Sequence, residues 1–428
     1  MRGRILRRLA VLGSAMALLS SCSAIGGGDD GVVTLDFWCW GDVPGDRVDA
    51  FNASHSDIQV RRTDAGGGTD SATKLLTASR AGNAPDVSCI EYQTIPAMVV
   101  SDVLADIADH TGPLTGEFTE ETWQLTSFEG HVYGVPDDIG PMVLLYNRAR
   151  FEELGLSVPT TWEEFAEVAA QARERDPDTY ITTFSPTEFG NFAGLAQQGG
   201  ATWWTVQDRQ WTVGIDDEAS MRVAEYWQSL IDEDLVTAEP LLTPEWNNRV
   251  NRGEILTWPA GLWSPSVIHG IAEGQAGDWA IAPLPHWEGE SDAVALQGGS
   301  ALSVTKNSDE VEAAVEFVTW METAPESTDL QIAGGQYPAS LSGQEAAGES
   351  APPALTGDQA DYWDVAAAAA RNTVPHIQWG PNVTTASDAY GDAFSAAIRN
   401  RTPLTDALRR TQDEVVDEMK RVGFHVTG

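Results

Sequence analysis

Leu35-Asp36-Phe37-Trp38-Cys39-Trp40, Ile58-Gln59-Val60-Arg61-Arg62-Thr63 and Asp86-Val87-Ser88-Cys89-Ile90-Glu91 are three short runs whose apolar residues alternate or cluster as β-strands require. Between the first two, residues 45–54 place Val48 and Phe51 on one helical face. Between the second and third, Asp70 is placed to cap a helix carrying Leu75 and Leu76, stopped by Gly82. Strand, helix, strand, helix, strand implies a parallel sheet with right-handed crossovers. In open sheets of this kind ligands bind outside the carboxyl ends of the strands. Those ends read Trp40-Gly41-Asp42, then Asp64-Ala65-Gly66-Gly67-Gly68-Thr69, then Glu91-Tyr92-Gln93. Carboxylates, an amide and aromatic rings recur there, with glycines that let a ligand approach the backbone.

The α/β alternation continues downstream. A helix is expected near 118–127, a strand at His131–Val135 and a separate apolar strand at Met142–Tyr146. Thr160-Thr161-Trp162-Glu163-Glu164 is a double capping-box signal. Helices are expected near 217–232, 308–322, 361–372, 386–399 and 404–421, with strands near 254–259, 278–283 and 299–304. Residues 340–358, rich in Ser, Gly, Ala and Pro, read as a loop.

Length and composition narrow the function. A chain of 428 residues holds two or three domains. With 42% hydrophobic and 21% charged residues the composition is globular. The formal charge is −39, and four of the bases, Arg2, Arg4, Arg7 and Arg8, lie in the first eight residues. A surface this acidic repels phosphate backbones and anionic lipid, which excludes nucleic acid as a partner. Those four arginines, the apolar run Leu9–Leu19 and Leu19-Ser20-Ser21-Cys22 form a targeting segment. Small residues before a Cys resemble a lipobox, which implies cleavage after residue 21, lipidation of Cys22 and a flexible tether over 22–31. Two cysteines remain, Cys39 and Cys89. In an oxidising compartment they either bridge or stand as two buried thiols.

No catalytic constellation accompanies this framework. G-x-S-x-G, H-E-x-x-H and a phosphate-cradling P-loop are absent, and the seven histidines lack metal-ligand spacing. Ser71-Ala72-Thr73-Lys74 matches S-x-x-K but lies inside a plain amphipathic helix with no companion motif. Sixteen tryptophans suggest an aromatic core or a site built on stacking.

Several segments, in order, resemble the extracellular solute-binding proteins of family 1, the sugar-binding components of ATP-binding-cassette importers. They are Gly130-His131-Val132-Tyr133-Gly134-Val135-Pro136, Leu144-Leu145-Tyr146-Asn147, Pro159-Thr160-Thr161-Trp162-Glu163-Glu164-Phe165, Trp258-Pro259-Ala260-Gly261-Leu262-Trp263, Ala282-Pro283-Leu284-Pro285 and Gly298-Gly299-Ser300. Relatives often carry Gly-Gly-Pro-Trp where this chain has Ala260-Gly261-Leu262-Trp263.

The resemblance implies a two-lobe periplasmic-binding-protein fold, each lobe a mainly parallel sheet flanked by helices and hinged by crossing segments. The lobes are expected at 32–138 plus 299–336 and at 139–298 plus 337–428. It further implies substrate contacts from Asp42, Glu91, Tyr92, Gln93, Asp138, Phe189, Trp263, Tyr337 and Trp379, the last within His376-Ile377-Gln378-Trp379, and Trp258, at a strand end, is a stacking candidate by its chemistry. Trp203 and Trp204 are further stacking candidates, Asp137 is expected to be a solvated neighbour of Asp138, and Arg61 and Arg62 are the only bases expected near the strand ends. The implied ligand is a neutral mono- or oligosaccharide, and the implied partners are permease subunits in the membrane. No cofactor, metal or catalysis is expected, and the chain is expected to be an exported monomer, lipid-anchored at the outer face of the cell membrane. Two other readings compete: a secreted glycoside hydrolase, which also uses carboxylates and tryptophans, and a binding protein for a non-sugar solute such as a phosphorylated polyol.

Overall fold

The computed structural model describes residues 31–41, 43–114, 116–374 and 378–427. The leader, Cys22 and the tether up to residue 30 lie outside the described residues, as do Asp42, His376 and Ile377.

The three opening strands form as Val33–Trp38, Ile58–Thr63 and Val87–Glu91. Val33–Trp38 pairs in parallel with both others, with Trp38 opposite Thr63 on one side and Ser88 on the other. The helices Val43–Ser54 and Gly68–Arg80 provide the crossovers. Gly67 occupies the N-cap of the second helix without a side-chain bond, and Asp70 sits in its first turn, so the expected Asp70 cap is corrected. Its charge there still complements the helix N-terminus. One register step beyond Trp38↔Ser88 sets Cys39 beside Cys89, and the two are joined in a disulfide with Cα atoms 5.0 Å apart. Beneath the sheet, Phe37 and Phe51 meet Phe317 edge to face with centroids 5.2 and 5.0 Å apart.

The run expected at 131–135 forms a short strand, His131–Val132, paired antiparallel with Ser127–Phe128, and the run at 142–146 belongs to a longer strand that already starts at Val135, Val135–Asn147. Its first half pairs antiparallel with Leu296–Val304, placing Asp138 opposite Ser300. Its second half lies between Thr257–Gly261 and Trp279–Pro283, again antiparallel to both. It therefore starts in one lobe's sheet and ends in the other's. Leu296–Val304 is the second crossing strand and continues the first lobe's sheet through antiparallel pairing with Val87–Glu91. Parallel pairing thus joins the three opening strands, while the crossing strands pair antiparallel in both lobes.

A third crossing meets the other two at Asp138. Asp138 bridges Pro338, Ile139 N donates to Tyr337 O at 3.1 Å, and Ala339 N donates to Asp137 O at 3.0 Å. Asp137 is not solvated, as its acidic surroundings suggested. It is 2% exposed and accepts from Arg47 Nη1 at 2.6 Å and Gln331 Nε2 at 3.1 Å. The segment read as a loop at 340–358 contains the helix Leu341–Gly348, capped by Ser340, whose Oγ accepts from Gly343 N at 3.3 Å. This helix packs on Val311–Thr323 and Pro325–Ala333 and also on the helix Tyr362–Arg371. The helix Tyr362–Arg371 then packs on Trp279–Pro283 and Val135–Asn147 in the second lobe.

Of the double capping signal, Thr161 provides the N-cap, and Glu164 reaches back one residue further, to Thr160. Thr161 Oγ1 accepts from Glu164 N at 3.1 Å, and Thr160 donates N–H and O–H to Glu164, opening the helix Trp162–Arg175. Trp203 and Trp204 are both buried in the second lobe, and Trp203 Nε1 donates to Ser220 Oγ at 2.8 Å, which makes them packing residues.

Candidate functional site

The strand ends of the first lobe converge. The Trp40 ring lies against Gly67, where a Cβ would meet its Cγ at 3.5 Å, and a Cβ on Gly68 would stand 3.9 Å from Glu91 Oε1. The bases beside these loops are occupied by backbone carbonyls. Arg62 donates to Cys39 O at 3.2 Å and to Gly41 O, while Lys74 Nζ donates to Ala65 O at 2.6 Å.

After Val87–Glu91 the chain makes a single tight turn over Tyr92–Thr94. Glu91 is half-buried and accepts from Gln93 Nε2 at 2.8 Å. Burial raises its pKa, against the Gln93 hydrogen bond, and the Glu188 carboxylate raises it further. Tyr92 is buried, and its hydroxyl donates to Asp138 O at 3.0 Å, tying the strand end to the hinge. At Gly299, φ is +82° and a Cβ would stand 2.8 Å from the Tyr92 ring, so this approach requires glycine on both counts. Asp138 itself belongs to the hinge. Ser300 Oγ donates to its Oδ1 at 2.7 Å, and burial, followed by the charge of Asp137, pushes its pKa up to about 7.

The second lobe contributes an aromatic wall. Phe189 opens the helix Phe189–Gln198 and packs on Trp203 at 5.2 Å, Tyr390 at 5.9 Å and Trp379 at 6.2 Å. Trp379 is also flanked by Trp204 at 6.1 Å. Trp263 is half-buried at the hinge, and its Nε1 donates to Gln297 O at 2.7 Å. Trp258 is buried between Trp246 and Trp263, edge to face at 5.4 Å from each. Tyr337 is buried and stacks on Trp363 with centroids 6.0 Å apart, and burial lifts its phenol to about 12.

Between the lobes lies a narrow cavity of about 10 Å³, room for a single water, walled by Tyr92, Gln93, Leu125, Leu296, Gly298 and Trp379. Ligand cavities usually run from about 300 Å³ upward, so the lobes stand together here and must part to admit a saccharide. The lobes also touch directly: a Cβ on Gly190 of the second lobe would stand 3.4 Å from Gln93 Oε1 of the first.

Of the residues chosen from sequence, the cavity gathers Tyr92, Gln93 and Trp379. Glu91 stands beside Gln93, Phe189 behind Trp379, and Trp263 at the hinge glycines. Trp258 and Tyr337 are corrected to packing positions, because neighbouring rings occupy the space around them. Leu125, Leu296 and the half-buried Glu188 were missed. The two leucines carry no polar signal, and only its place just before Phe189 and a helix start could have marked Glu188. Among the described residues no group of three His, Cys, Asp or Glu could hold a metal ion.

Comparison with known proteins agrees with this geometry. An arabinooligosaccharide-binding protein of Halalkalibacterium halodurans is 25% identical over 323 residues, covering 72% of this chain and 71% of that protein. A lactose-binding protein of Rhizobium radiobacter is 23% identical over 443 residues, covering 97% and 99%. Among solved structures, an ABC-transporter-associated binding protein of B. animalis subsp. lactis, in complex with β-1,6-galactobiose, superposes with a TM-score of 0.84. It is 26% identical and covers 93% of this chain and 100% of that one. The galacto-N-biose/lacto-N-biose I-binding protein of Bifidobacterium longum, in complex with lacto-N-biose, gives 0.83 at 27% identity, covering 93% and 99%. The family model for bacterial extracellular solute-binding proteins matches residues 46–327. Two lobes, three crossings and a cavity shared between them fit that match, and the chain belongs to the bacterial extracellular solute-binding proteins.

Proposed function

We propose that this protein captures a neutral mono- or oligosaccharide between its lobes and delivers it to the permease of an ATP-driven importer, with no covalent chemistry. The cavity carries the reading. Tyr92, Gln93 and Leu125 come from one lobe, Trp379 from the other, and Leu296 and Gly298 from a crossing strand. A molecule held there touches both lobes only when they are together, so its binding energy shifts the open–closed equilibrium toward the closed form. The chemistry suits a pyranose. Amide and carboxyl groups at Gln93 and Glu91 can share hydrogen bonds with adjacent hydroxyls, and the Trp379 indole offers a face to C–H groups. The similar proteins named above bind saccharides, and the strand-end loops present no free Lys or Arg to a phosphate. Cys22 is the expected point of lipid attachment at the outer face of the cell membrane, with the chain acting as a monomer.

A thermal-shift panel of neutral saccharides tests the capture. A saccharide at 100 times its dissociation constant adds about 2.7 kcal/mol of stability. The stabilising saccharide should be recovered intact after long incubation. Turnover lost on replacing Glu91 or Glu188 would instead identify a glycoside hydrolase. Replacing Cys22 by Ala should release the protein from the membrane fraction, and retention would show another mode of attachment.

A further inference from the structure

The carboxylates beside the cavity belong to different lobes. Glu91 ends a strand of the first lobe, and Glu188 immediately precedes the helix Phe189–Gln198 of the second. Gln93 links the two sides: its Nε2 donates to Glu91 Oε2 at 2.8 Å, and its Oε1 lies 3.4 Å from where a Cβ on Gly190 would stand. Gly190 is two residues past Glu188, so lobe contact brings Glu188 toward Glu91, and both are half-buried.

Among the described residues, the cations on the elements packed around the pair are bonded elsewhere. On the first lobe, Ser71 and Thr94 line the space behind Glu91, while Lys74 on the same helix as Ser71 is held by Ala65 O. Arg62 on the neighbouring strand is held by carbonyls of the loop at 39–41. On the second lobe the group facing Glu188 is the buried phenol of Tyr390, raised by burial and then by Glu188. Closure therefore confines two like charges, and the ligand bound between them decides whether that confinement is tolerable. A hydroxyl-bearing ligand donates to them. A carboxylate or phosphate adds a third negative charge to a site poorly reached by water.

We propose that Glu91 and Glu188 act together as a charge filter: the lobes close over uncharged saccharides and stay open over those carrying a carboxylate or phosphate. This rests on the saccharide-capture reading and names the residues that set its selectivity.

The test uses calorimetry at pH 8 with two probe sets. The neutral set is β-1,6-galactobiose, lacto-N-biose, lactose and maltotriose. The acidic set is digalacturonic acid, cellobiouronic acid and lactose 6′-phosphate. Binding of a neutral probe with acidic probes at least tenfold weaker is the expected result. Acidic probes binding as well as neutral ones overturn the filter. Failure of all neutral probes with an acidic one bound overturns both the filter and the neutral-saccharide reading. A fully silent panel overturns the choice of saccharides that the reading makes, and the filter with it.

Two further readouts separate the filter from ordinary contacts. In the wild type, lowering the pH from 8 to 5 should narrow the neutral-to-acidic affinity ratio for the uronic acids. Burial raises the pKa of both glutamates, so as the pH falls they take up protons before an exposed uronate does. In Glu188→Gln and in Glu91→Gln/Glu188→Gln, the same ratio at pH 8 should fall at least tenfold. An unchanged ratio in the variants, or a ratio independent of pH in the wild type, contradicts the proposal.

Discussion

Asp138→Asn should change the stability of the free protein more favourably at pH 8 than at pH 4. Asp138 is 7% exposed at the point where all three crossings meet. Burial, then Asp137, raises its pKa from 3.8 to about 7, against the hydrogen bonds from Ser300. Below pH 4 the carboxyl is protonated both folded and unfolded, and no penalty arises. Between pH 4 and 7 the unfolded chain releases the proton that the folded chain keeps, so stability falls as pH rises, by about 1.4 kcal/mol per unit. Above pH 7 the penalty is complete. Three units correspond to about 4 kcal/mol, an upper figure because the neighbouring Asp137 and Arg47 charges act on the group in opposite directions. An asparagine keeps an Oδ1 to accept from Ser300 Oγ, now at 2.7 Å, but its amide N–H groups need acceptors, at a cost of about 1–3 kcal/mol if they find none. That cost is the same at every pH. The quantity to compare is therefore the change in stability on mutation at pH 8 minus that at pH 4, expected at about 2–4 kcal/mol. Urea unfolding followed by tryptophan fluorescence at pH 4, 6 and 8 measures it. Equal effects at all three pH values would mean that Asp138 ionises as a solvated carboxyl does, and the account of the hinge would fail.

Arg47→Met should cost about 3–5 kcal/mol, because Asp137 would remain buried without the guanidinium now 2.6 Å away; a loss below about 1 kcal/mol in urea unfolding would show that water reaches the site. Thiol titration of the denatured, unreduced domain from residue 31 onward should find no free thiol, and opening the Cys39–Cys89 link, which spans a sequence separation of 50, should cost about 4 kcal/mol by loop entropy. Two free thiols would contradict the bridge. Gly298→Ala should cost about 1–2 kcal/mol and weaken saccharide binding, since φ is +73° there and the new methyl would stand 3.1 Å from Trp263 Nε1 in the cavity wall. Wild-type affinity by calorimetry would remove Gly298 from the site.

What the sequence revealed and what it concealed have separate physical origins. Local patterns were legible: the alternation of Ile58–Thr63, the Thr160–Glu164 capping box and the helix Leu404–Arg421 each follow from a few neighbouring residues. The strand-end rule also read Glu91, Tyr92 and Gln93 at the carboxyl end of a strand, and they stand there. Features set by distant partners were hidden. Nothing near Asp137 announces that Arg47, 90 residues earlier, will neutralise it. The Pro136–Pro141 stretch looks like an interruption between two strands, yet Ser300 and Leu296 pair alongside it and keep it extended. Trp258 reads as a strand-end aromatic, and only the tertiary fold places Trp246 and Trp263 around it. The Ala- and Gly-rich 341–348 run has little helical signal of its own and gains its helix from packing on the first lobe.

Hydrogen–deuterium exchange with and without the stabilising saccharide tests capture between the lobes most directly. The account predicts added protection in peptides covering 91–94, 296–299 and 378–380, which reach the cavity from both lobes and the hinge. Protection confined to one lobe, or appearing instead at the outer groove near Tyr146 and Asp361, would contradict it.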